Sequence, residues 1–339
     1  MSGAGPTGRA RAVFFGSGSF ALPILESLVG SPTVELVAVV SVPDRSAGRS
    51  ARPAPTPVST LAIDRGLPLL RPGRLRDEDA VEAIAALRPT VGILADYGRI
   101  VPPAVLAIPP RGILNVHPSL LPRWRGASPI QATIAAGDRE TGITIIAMDA
   151  GVDTGPVVAA ESWALDGTET APSLEARAAA GGAALLAGVL PDWLAGTLEA
   201  RGQTGPATTT APLRREDGRL DPGRPAVELE RRIRAFQPWP GTFVETPLGR
   251  LAILSATTEA HPTGEGTPTD APAGRIVARG DGLALVTAEG LLTFGDVQPA
   301  GGRPMPAAAY RRGRSAIVGA DVVPGPGSGG AAPVGESPR

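Results

Sequence analysis

The sequence predicts an α/β protein in which a doubly wound, mostly parallel sheet domain is followed by a smaller β-barrel domain. Its 339 residues exceed the length of one ordinary domain and suit two. In the first half, short apolar runs alternate with helical stretches, which is the pattern of an open α/β sheet. In the second half, short strand candidates follow one another between Gly-rich turns, which is typical of a small barrel.

Apolar runs rich in β-branched residues predict the strands of the first domain. Their near-continuous apolar character indicates strands that are covered on both faces, as in a parallel sheet. The runs are RAVFF (11–15), VELVAVVSV (34–42), VGILAD (91–96), ILNVH (113–117) and GITIIAM (142–148). The helical stretches are FALPILESLVG (20–30), DEDAVEAIAALR (77–88), SPIQATIAAG (128–137) and a long Ala/Leu-rich stretch over 172–200.

The second half begins after a polar stretch without periodicity, which we interpret as a linker. AVELERRIRAF (226–236) is then predicted to form an amphipathic helix. The strand candidates after it are FVETP, RLAILSA, GRIVAR, LALVTAE and LLTFGDVQPA, with a loop insertion, HPTGEGTPTDAPAG, among them. The predicted boundaries are 9–200 for the first domain, 201–212 for the linker, 213–317 for the second domain, and 318–339 for a Gly/Pro/Ala-rich disordered tail.

Composition excludes several classes of site. The chain has no cysteine and two histidines, which excludes disulfides and argues against cysteine or His-rich metal sites, so we expect no metal. No apolar run reaches the roughly 18 residues of a membrane span, and we expect a cytoplasmic monomer without membrane contact. The net charge is −1, but all 32 basic residues are arginine. Arginine binds phosphate bidentately and stacks on bases, so a local cluster could bind RNA.

Polar side chains occupy the end of the predicted strand ILNVH. Asn115 and His117 are two residues apart, so both point to one face, and Pro118 blocks extension of the strand. Ligands of open parallel sheets bind beyond the carboxyl ends of the strands. An amide N–H and an imidazole at this point could stabilise an oxyanion together. A buried structural Asn–His pair is the alternative interpretation.

Asp153 follows the predicted strand GITIIAM in a Gly-flanked loop. If both strands end at the same edge of the sheet, Asp153 shares a crevice with Asn115 and His117. A carboxylate there could orient and charge the imidazole, and could accept the proton that an attacking amine must lose. Turn formation is the alternative for Asp149 and Asp153. We assign Asp149 to the turn and Asp153 to function.

The segments NVHPSLLPRWRGASPIQ (115–131) and MDAGVDTG (148–155) resemble the signature of folate-dependent formyltransferases. In that family the Asn, the His and the Asp that follows the His by 36 positions are catalytic, and this chain keeps that spacing. The resemblance implies 10-formyltetrahydrofolate as formyl donor. It also implies that a short segment lies against the folate site: Ser119, Leu120, Leu121 and Pro122.

Other segments resemble the methionyl-tRNA formyltransferases within that family. These are RWRGASPIQ, VPDRSAGR (42–49), LRREDGRLD (213–221) and IRAFQPWPGTF (233–243). The resemblance implies initiator methionyl-tRNA as the acceptor and an OB-like second domain, a fold that suits oligonucleotides. A flexible arginine loop can order on RNA, so we predict tRNA contacts in the loop after VELVAVVSV; a solvated surface loop is the alternative. The predicted contact residues are Arg45, Arg49 and Arg52.

The sequence leaves other functions open. An amino-sugar formyltransferase shares the chemistry, and water in place of the amine would give a formate-releasing hydrolase. An inactive RNA-binding module would not require the Asn, His and Asp set. Gly16, Gly18 and Ala21 match a dinucleotide fingerprint, but no ribose-binding acid is clearly placed, so we interpret them as tight strand–helix packing. Asp96 stands in ADYG, where the family usually has AYG.

Overall fold

A computed structural model describes residues 8–46, 53–260 and 271–323 of the chain. Its first half alternates strands with helices, as the sequence predicts. The strands are β1 (Ala10–Gly16), β2 (Val34–Val40), β3 (Arg45–Ser46), β4 (Pro53–Ala54), β5 (Leu69–Leu70), β6 (Val91–Ala95), β7 (Ile113–His117), β8 (Arg125–Gly126), β9 (Glu140–Ala147) and β10 (Val157–Ala164). The helices are α1 (Ala21–Leu28), α2 (Pro57–Asp64), α3 (Glu78–Ala86), α4 (Pro103–Leu106), α5 (Pro129–Ala136) and α6 (Ala171–Ala195).

The central sheet has seven strands among the described residues, in the order β10-β9-β7-β6-β1-β2-β5. The strands from β7 to β5 run parallel to one another. The last two strands differ, since β9 is antiparallel to β7 and β10 is antiparallel to β9. The prediction of a mostly parallel α/β sheet is therefore confirmed.

Helices cover both faces of this sheet, as β1 illustrates. Ala12 and Phe14 pack into the core beneath α1 and α6, whereas Val13 and Phe15 pack into a second core beneath α3 and α4. All four side chains are fully buried. A strand that is buried on both faces must be apolar at every position, which is why continuous apolar runs located these strands correctly.

The site prediction assumed that the strand containing GITIIAM runs parallel to β7. In the structure this strand, β9, runs antiparallel to β7. The pairs His117↔Thr144 and Leu114↔Ala147 show that β9 ends beside the beginning of β7. The edge strand β10 was not predicted. Most of its residues are exposed or half-buried, so it lacks the continuous apolar run by which the other strands were found.

Helix α6 is the one described helix that is long and apolar enough, by length and composition, to cross a membrane. It spans 25 residues and packs against α1, α5, β9 and β10. Leu174, Leu186 and Leu190 on this helix are buried. Its contacts with the sheet and the other helices account for its apolar character.

The second half consists of short antiparallel strands with a helix before and after them. Residues 261–270, within the predicted loop insertion, lie outside the described residues. The elements are β11 (Thr209–Thr210), α7 (Ala226–Ala235), β12 (Phe243–Thr246), β13 (Gly249–Ile253), β14 (Ala256–Glu259), β15 (Ile276–Arg279), β16 (Gly282–Val286), β17 (Leu291–Phe294), β18 (Asp296–Pro299), β19 (Met305–Pro306) and α8 (Ala307–Gly313).

Within the described residues, two antiparallel sheets, β12-β13-β18-β19 and β14-β17-β16-β15, enclose one apolar core. The prediction of a single strand over LLTFGDVQPA is wrong, because the chain leaves one sheet at Phe294 and enters the other at Asp296. Gly295 forms the corner, where a Cβ would lie 2.5 Å from the Oγ of Ser255. Close packing at this corner explains why a glycine separates the two strands.

The predicted disordered tail begins later than residue 318. Asp321 pairs with Arg275 in an isolated β-bridge, and Val322 is buried in the core of the second half. Residues 318–323 are therefore part of the folded structure. The remainder of the predicted tail, 324–339, lies outside the described residues.

The predicted linker is packed against the first half along much of its length. Arg201 exchanges backbone hydrogen bonds with Val157 at 2.7 and 2.8 Å, and β11 pairs in parallel with β8. We refer to residues 201–211 as the strap. The lack of periodicity in this segment reflects irregular backbone structure, since its polar groups bond to the loops beneath it.

The two halves of the chain meet at α5 and α7. Ile130 and Ile134 of α5 pack with Ala235 and Phe236 in one apolar cluster. Phe236 is only 5% exposed, although it stands at the end of a helix whose other face carries charged residues. This junction holds the second half beside the loops that follow β7.

Candidate functional site

Asn115 and His117 occupy alternate positions at the end of β7, and both are buried, at 6% and 4% exposure. Their neighbours Leu114 and Val116 pack into the core beneath α1 and α6. Because strand side chains alternate between faces, Asn115 and His117 lie on the opposite face. The sequence prediction that both point to one face is therefore consistent with the structure.

Asp153 lies on the same face of the sheet as Asn115 and His117, but the path of the chain that brings it there was not predicted from the sequence. The loop after β9 begins near the start of β7 and then crosses back over the sheet. The Asn115 Nδ2 donates to Asp153 Oδ1 at 3.0 Å, and the backbone N–H of Gly126 donates to Oδ2 at 2.8 Å. Oδ2 also lies 3.6 Å from Nδ1 of His117. The structure thus brings all three predicted residues together.

The imidazole of His117 is oriented by the backbone of the loop that follows. Its Nε2 lies 3.0 Å from the carbonyl oxygen of Trp124. A carbonyl oxygen only accepts hydrogen bonds, so Nε2 must carry the hydrogen. The remaining nitrogen, Nδ1, then faces the Asp153 carboxylate.

Ser119–Pro122 support this loop and are not among the residues that line the described cavity. Ser119 is fully buried, and its Oγ donates to the carbonyl of Arg123 at 2.6 Å. The backbone N–H of Leu121 donates to Thr144 Oγ1 at 3.1 Å. The resemblance assigns these residues to the folate site, and that assignment stays a prediction.

Asp149 forms the turn that the sequence assigned to it. Its Oδ1 accepts hydrogen bonds from the N–H of Gly151 at 3.0 Å and from Thr154 Oγ1 at 2.6 Å. These bonds fix the loop that presents Asp153, which has a left-handed backbone with φ of 53°. Left-handed backbone is unfavourable for a residue with a Cβ, so the loop must be held by its contacts.

A cavity of about 530 Å³ opens in front of these side chains, within the range of small-molecule sites. It extends from the Asn115, His117 and Asp153 group to the loop after β6. Ile100, in the loop after β6, and Val152, in the loop after β9, line this cavity and are 80% and 59% exposed. The cavity therefore combines polar groups at one end with apolar side chains that are open to a ligand.

Asp96 lines the same cavity with a left-handed backbone, φ 44°. Although the residue is exposed by its surface area, desolvation by the surrounding protein and, secondarily, the charge of Glu175 together raise its pKa to about 6. A Cβ on Gly18 would collide with the Asp96 carboxylate. Gly18 thus leaves the space that Asp96 occupies.

Gly16 shows why the turn after β1 is rich in glycine. A Cβ there would lie 2.5 Å from the Phe14 ring and 3.1 Å from both the Ala21 Cβ and the Ala95 oxygen. These contacts agree with the interpretation of tight strand–helix packing.

The arginine loop is described only in part. Arg45 lies in β3, which pairs with β4, while Arg49 and Arg52 lie outside the described residues. The tRNA contacts assigned to these three arginines stay a prediction.

Comparison with known proteins places this site within a family. A family model described as "Formyl transferase" matches residues 10–190, and one described as "Formyl transferase, C-terminal domain" matches residues 212–315. Proteins named methionyl-tRNA formyltransferase match nearly the whole chain. The one from Thermus thermophilus is 44% identical over 308 residues, 89% of this chain and 96% of that protein. The chain belongs to the methionyl-tRNA formyltransferase family.

Two further members show the same level of similarity. Methionyl-tRNA formyltransferase of Roseiflexus castenholzii is 43% identical over 89% of this chain and 96% of that protein. The Myxococcus xanthus protein of the same name is 42% identical over 92% of this chain and 97% of that one. The predicted family and its formyl-group transferase activity are therefore confirmed.

Solved structures of lower identity share the fold of this family. An N-formyltransferase from Helicobacter canadensis, in complex with folinic acid and dTDP-3-aminofucose, has a TM-score of 0.62 at 16% identity, over 84% of this chain and 99% of that one. HypX from Aquifex aeolicus, in complex with tetrahydrofolic acid, has a TM-score of 0.57 at 16% identity. This chain matches 47% of the HypX chain, over 89% of its own length.

Three residues of the site were not found from the sequence. Trp124 orients His117 through its carbonyl oxygen, Gly126 binds Asp153 through its N–H, and Gln203 of the strap binds the Asp153 loop. Backbone groups leave no side-chain signature. The two loop residues lie within the family segment RWRGASPIQ, which was the available signal for them.

Proposed function

We propose that the chain transfers the formyl group of 10-formyltetrahydrofolate to the α-amino group of methionyl initiator tRNA, giving N-formylmethionyl-tRNA for translation initiation. The observation that carries the proposal is the contact of Asp153 with both Asn115 and His117 at one end of a ligand-sized cavity. The choice of acceptor rests on the relatives at 42–44% identity, whose name states that substrate.

Asn115 and His117 are proposed to stabilise the oxyanion that forms when the amine attacks the formyl carbon. Asn115 has one N–H bonded to Asp153, and the amide carries a second donor. The Nε2 of His117 is bonded to Trp124, whereas its Nδ1 lies 3.6 Å from Asp153, beyond hydrogen-bond distance, so a hydrogen on Nδ1 would be available to the oxyanion. Donors fixed before the reaction lower the barrier because they need not reorganise as charge develops on oxygen.

Asp153 is proposed to hold the protonated imidazole in place and to accept the proton of the attacking amine. A new C–N bond to the amine forms, and the bond between the formyl carbon and N10 of the folate then breaks. The amine proton passes through Asp153, directly or through water, and the released N10 takes up a proton. The products are formylmethionyl-tRNA and tetrahydrofolate, and no redox partner is required.

The cavity walls support a folate-derived donor. A flat ring system could contact the exposed apolar side chains of Ile100 and Val152, and Asp96 offers a carboxyl group to the same cavity. A carboxyl group of raised pKa can accept or donate a hydrogen bond to a heterocycle near neutral pH. Ser119–Pro122 are proposed to lie against the folate, as the family resemblance implies, and they also support the loop that follows His117.

Acceptor RNA is proposed to contact the arginine loop, with Arg45, Arg49 and Arg52, together with the second half of the chain. The second half is held beside the site through the α5–α7 junction. It contains two antiparallel sheets around an apolar core, and the OB-like fold that the resemblance implies for it suits oligonucleotide binding. This arrangement would place the methionyl end of the tRNA at the cavity and its stem along the second half.

A single incubation distinguishes this proposal from its rivals. The protein is mixed with 10-formyltetrahydrofolate labelled in the formyl group and, separately, with initiator Met-tRNA, glycinamide ribonucleotide and an amino-sugar nucleotide. We expect label on Met-tRNA. Label on the sugar nucleotide and none on Met-tRNA would overturn the assignment, and labelled formate without any acceptor would indicate a hydrolase.

A further inference from the structure

We propose that Gln203 is a positioning residue for Asp153 and that it joins the strap to both loops of the site. Gln203 lies outside the segments that carry Asn115, His117 and Asp153. It touches none of the proposed reacting groups, so it would act through the loop that presents the carboxylate. The inference rests on the proposed function of Asp153.

Both ends of the Gln203 side chain are bonded. Its Nε2 donates to the carbonyl oxygens of Asp153 and Gly155, each at 2.8 Å. Its Oε1 accepts from Nη2 and Nε of Arg125, at 2.7 and 3.1 Å. This set of partners fixes the orientation of the amide, because a flipped amide would set its NH₂ group against the guanidinium and its oxygen against two carbonyls.

Asp153 is a residue whose position must be maintained by its neighbours. Its backbone is left-handed, with φ of 53°, which is unfavourable for a residue that has a Cβ. Its main-chain oxygen is held by Gln203 and its carboxylate by the N–H of Gly126. Gly126 directly follows Arg125, the residue bonded to the Gln203 oxygen. The side-chain amide of Gln203 therefore holds both Asp153 and the loop whose N–H group binds the Asp153 carboxylate.

Two threonines of the strap also bind the loop after β7, but not the Asp153 loop. The backbone N–H of Trp124 donates to Thr208 Oγ1 at 2.8 Å, and that of Ser128 donates to Thr210 Oγ1 at 3.0 Å. Both contacts hold the loop after β7. Among the described side chains of the strap, Gln203 is the one that forms hydrogen bonds with both the β7 loop and the Asp153 loop, and this distinguishes it from the threonines.

The first test compares Gln203→Leu with Gln298→Leu in the full-length protein. Gln298 likewise donates to a main-chain oxygen, that of Gly302 at 2.9 Å, but in the second half. We expect Gln203→Leu to lower kcat for formyl transfer by about tenfold or more, with KM for both substrates changed less than about threefold, because misplacement of a catalytic group affects the transition state most. In the control variant, kcat and both KM values should stay close to those of the wild type. The two variants should have the same melting temperature.

A double-mutant cycle tests whether the effect passes through Asp153. In an Asp153→Asn background, Gln203→Leu should change kcat by less than about twofold, because the group that it positions is already impaired. An equal loss of kcat in both backgrounds would overturn the proposal. A loss confined to KM, or an equal loss in the Gln298→Leu control, would overturn it as well.

A readout without substrate separates this proposal from the proposed function. The chain has two histidines, His117 and His261, so the ring signals of His117 can be assigned by NMR. We expect Gln203→Leu to shift the His117 signals and Gln298→Leu to leave them unchanged. If the wild type does not formylate Met-tRNA but the signals respond, the function is wrong and the positioning role stands. If the wild type is active and neither the signals nor kcat respond, the positioning role is wrong.

Discussion

Asp153 is the residue whose contacts most constrain the proposed chemistry. Its two carboxylate oxygens have different partners, since Oδ1 accepts from Asn115 while Oδ2 accepts from Gly126 and faces His117. The closer contacts are those with Asn115 and Gly126. The carboxylate is therefore held by neutral donors at a fixed position beside the imidazole.

Asp153→Asn keeps the size of the side chain and removes its charge. We expect kcat for formyl transfer to fall by about 10² or more, the range of a lost general acid–base group, with tRNA and folate affinities changed much less. Turnover, binding and thermal stability would be measured on the same sample. A protein that unfolds, or that keeps near-normal turnover, would favour a structural Asn–His pair instead.

Asp96 links the cavity to the pH dependence of stability. Desolvation, and secondarily Glu175, raises the pKa of its carboxyl from 3.8 to about 6. The folded state thus binds this proton more tightly than the unfolded chain, so the group favours folding at low pH and loses that contribution as pH rises from about 4 to about 6.

Asp96→Asn removes this titration, and asparagine tolerates the positive φ at this position. The melting temperature of the variant relative to the wild type is expected to rise between pH 4 and pH 7.5. Asp281→Asn, at an exposed turn, serves as the control. A difference between variant and wild type that does not change with pH would contradict the assigned cause.

At the scale of elements, the site depends on where two irregular segments cross. Gly126 has φ of 101°, and a Cβ on it would collide with the main-chain oxygen of Thr210 in the strap. Regular strands fix Asn115 and His117, but this crossing fixes the N–H that binds Asp153. Glycine is required here both for its conformation and for the close approach of two backbones.

Gly126→Ala should therefore weaken both stability and turnover. The expected loss of unfolding free energy is about 1–3 kcal/mol for a strained backbone position, measured by chemical denaturation. Gly188→Ala, in α6 with open space around the Cβ position, is the control and is expected to stabilise the protein by about 0.5–1 kcal/mol. Equal effects of the two substitutions on unfolding free energy would show that Gly126 is not required for close packing between the strap and the loop after β7.

At the scale of the whole molecule, the α5–α7 junction joins the two halves of the chain, which have separate cores. Phe236→Ala removes a large buried side chain from this junction, and we expect a loss of about 3–5 kcal/mol in unfolding free energy. Val227→Ala, on the same helix at 45% exposure, is the control and should stay within about 0.5 kcal/mol of the wild type. A cost for Phe236→Ala as small as the control would mean that the halves are held together elsewhere.

Binding of tRNA is also a property of the whole molecule, since it would involve the arginine loop and the second half together. Arg49→Ala is expected to reduce the slope of log affinity against log salt by about one, the value for one lost phosphate contact, with folate binding unchanged. Arg111→Ala is the control, because this guanidinium lies beside Gly196 and Arg111 precedes strand β7, whereas the arginine loop follows strand β2. An unchanged slope for Arg49→Ala would favour the alternative interpretation, in which the loop is a solvated surface loop without RNA contacts.

The sequence by itself determined the parallel strands, the shared face of Asn115 and His117, and the family. Burial on both faces produces continuous apolar runs, and alternation along a strand is a local property. Elements without such a local signal were missed or misplaced: the half-exposed β10, the corner at Gly295, and the packed strap.

Only the tertiary structure decided how Asp153 reaches the site. The sequence argument assumed that two strands end at one edge, whereas β9 is antiparallel to β7 and the loop crosses back over the sheet. The bonds that hold this arrangement join residues far apart in sequence, such as Gln203 to Asp153, 50 positions apart. They involve backbone oxygens and N–H groups that every residue possesses, so no pattern of side chains could reveal them before the chain was folded.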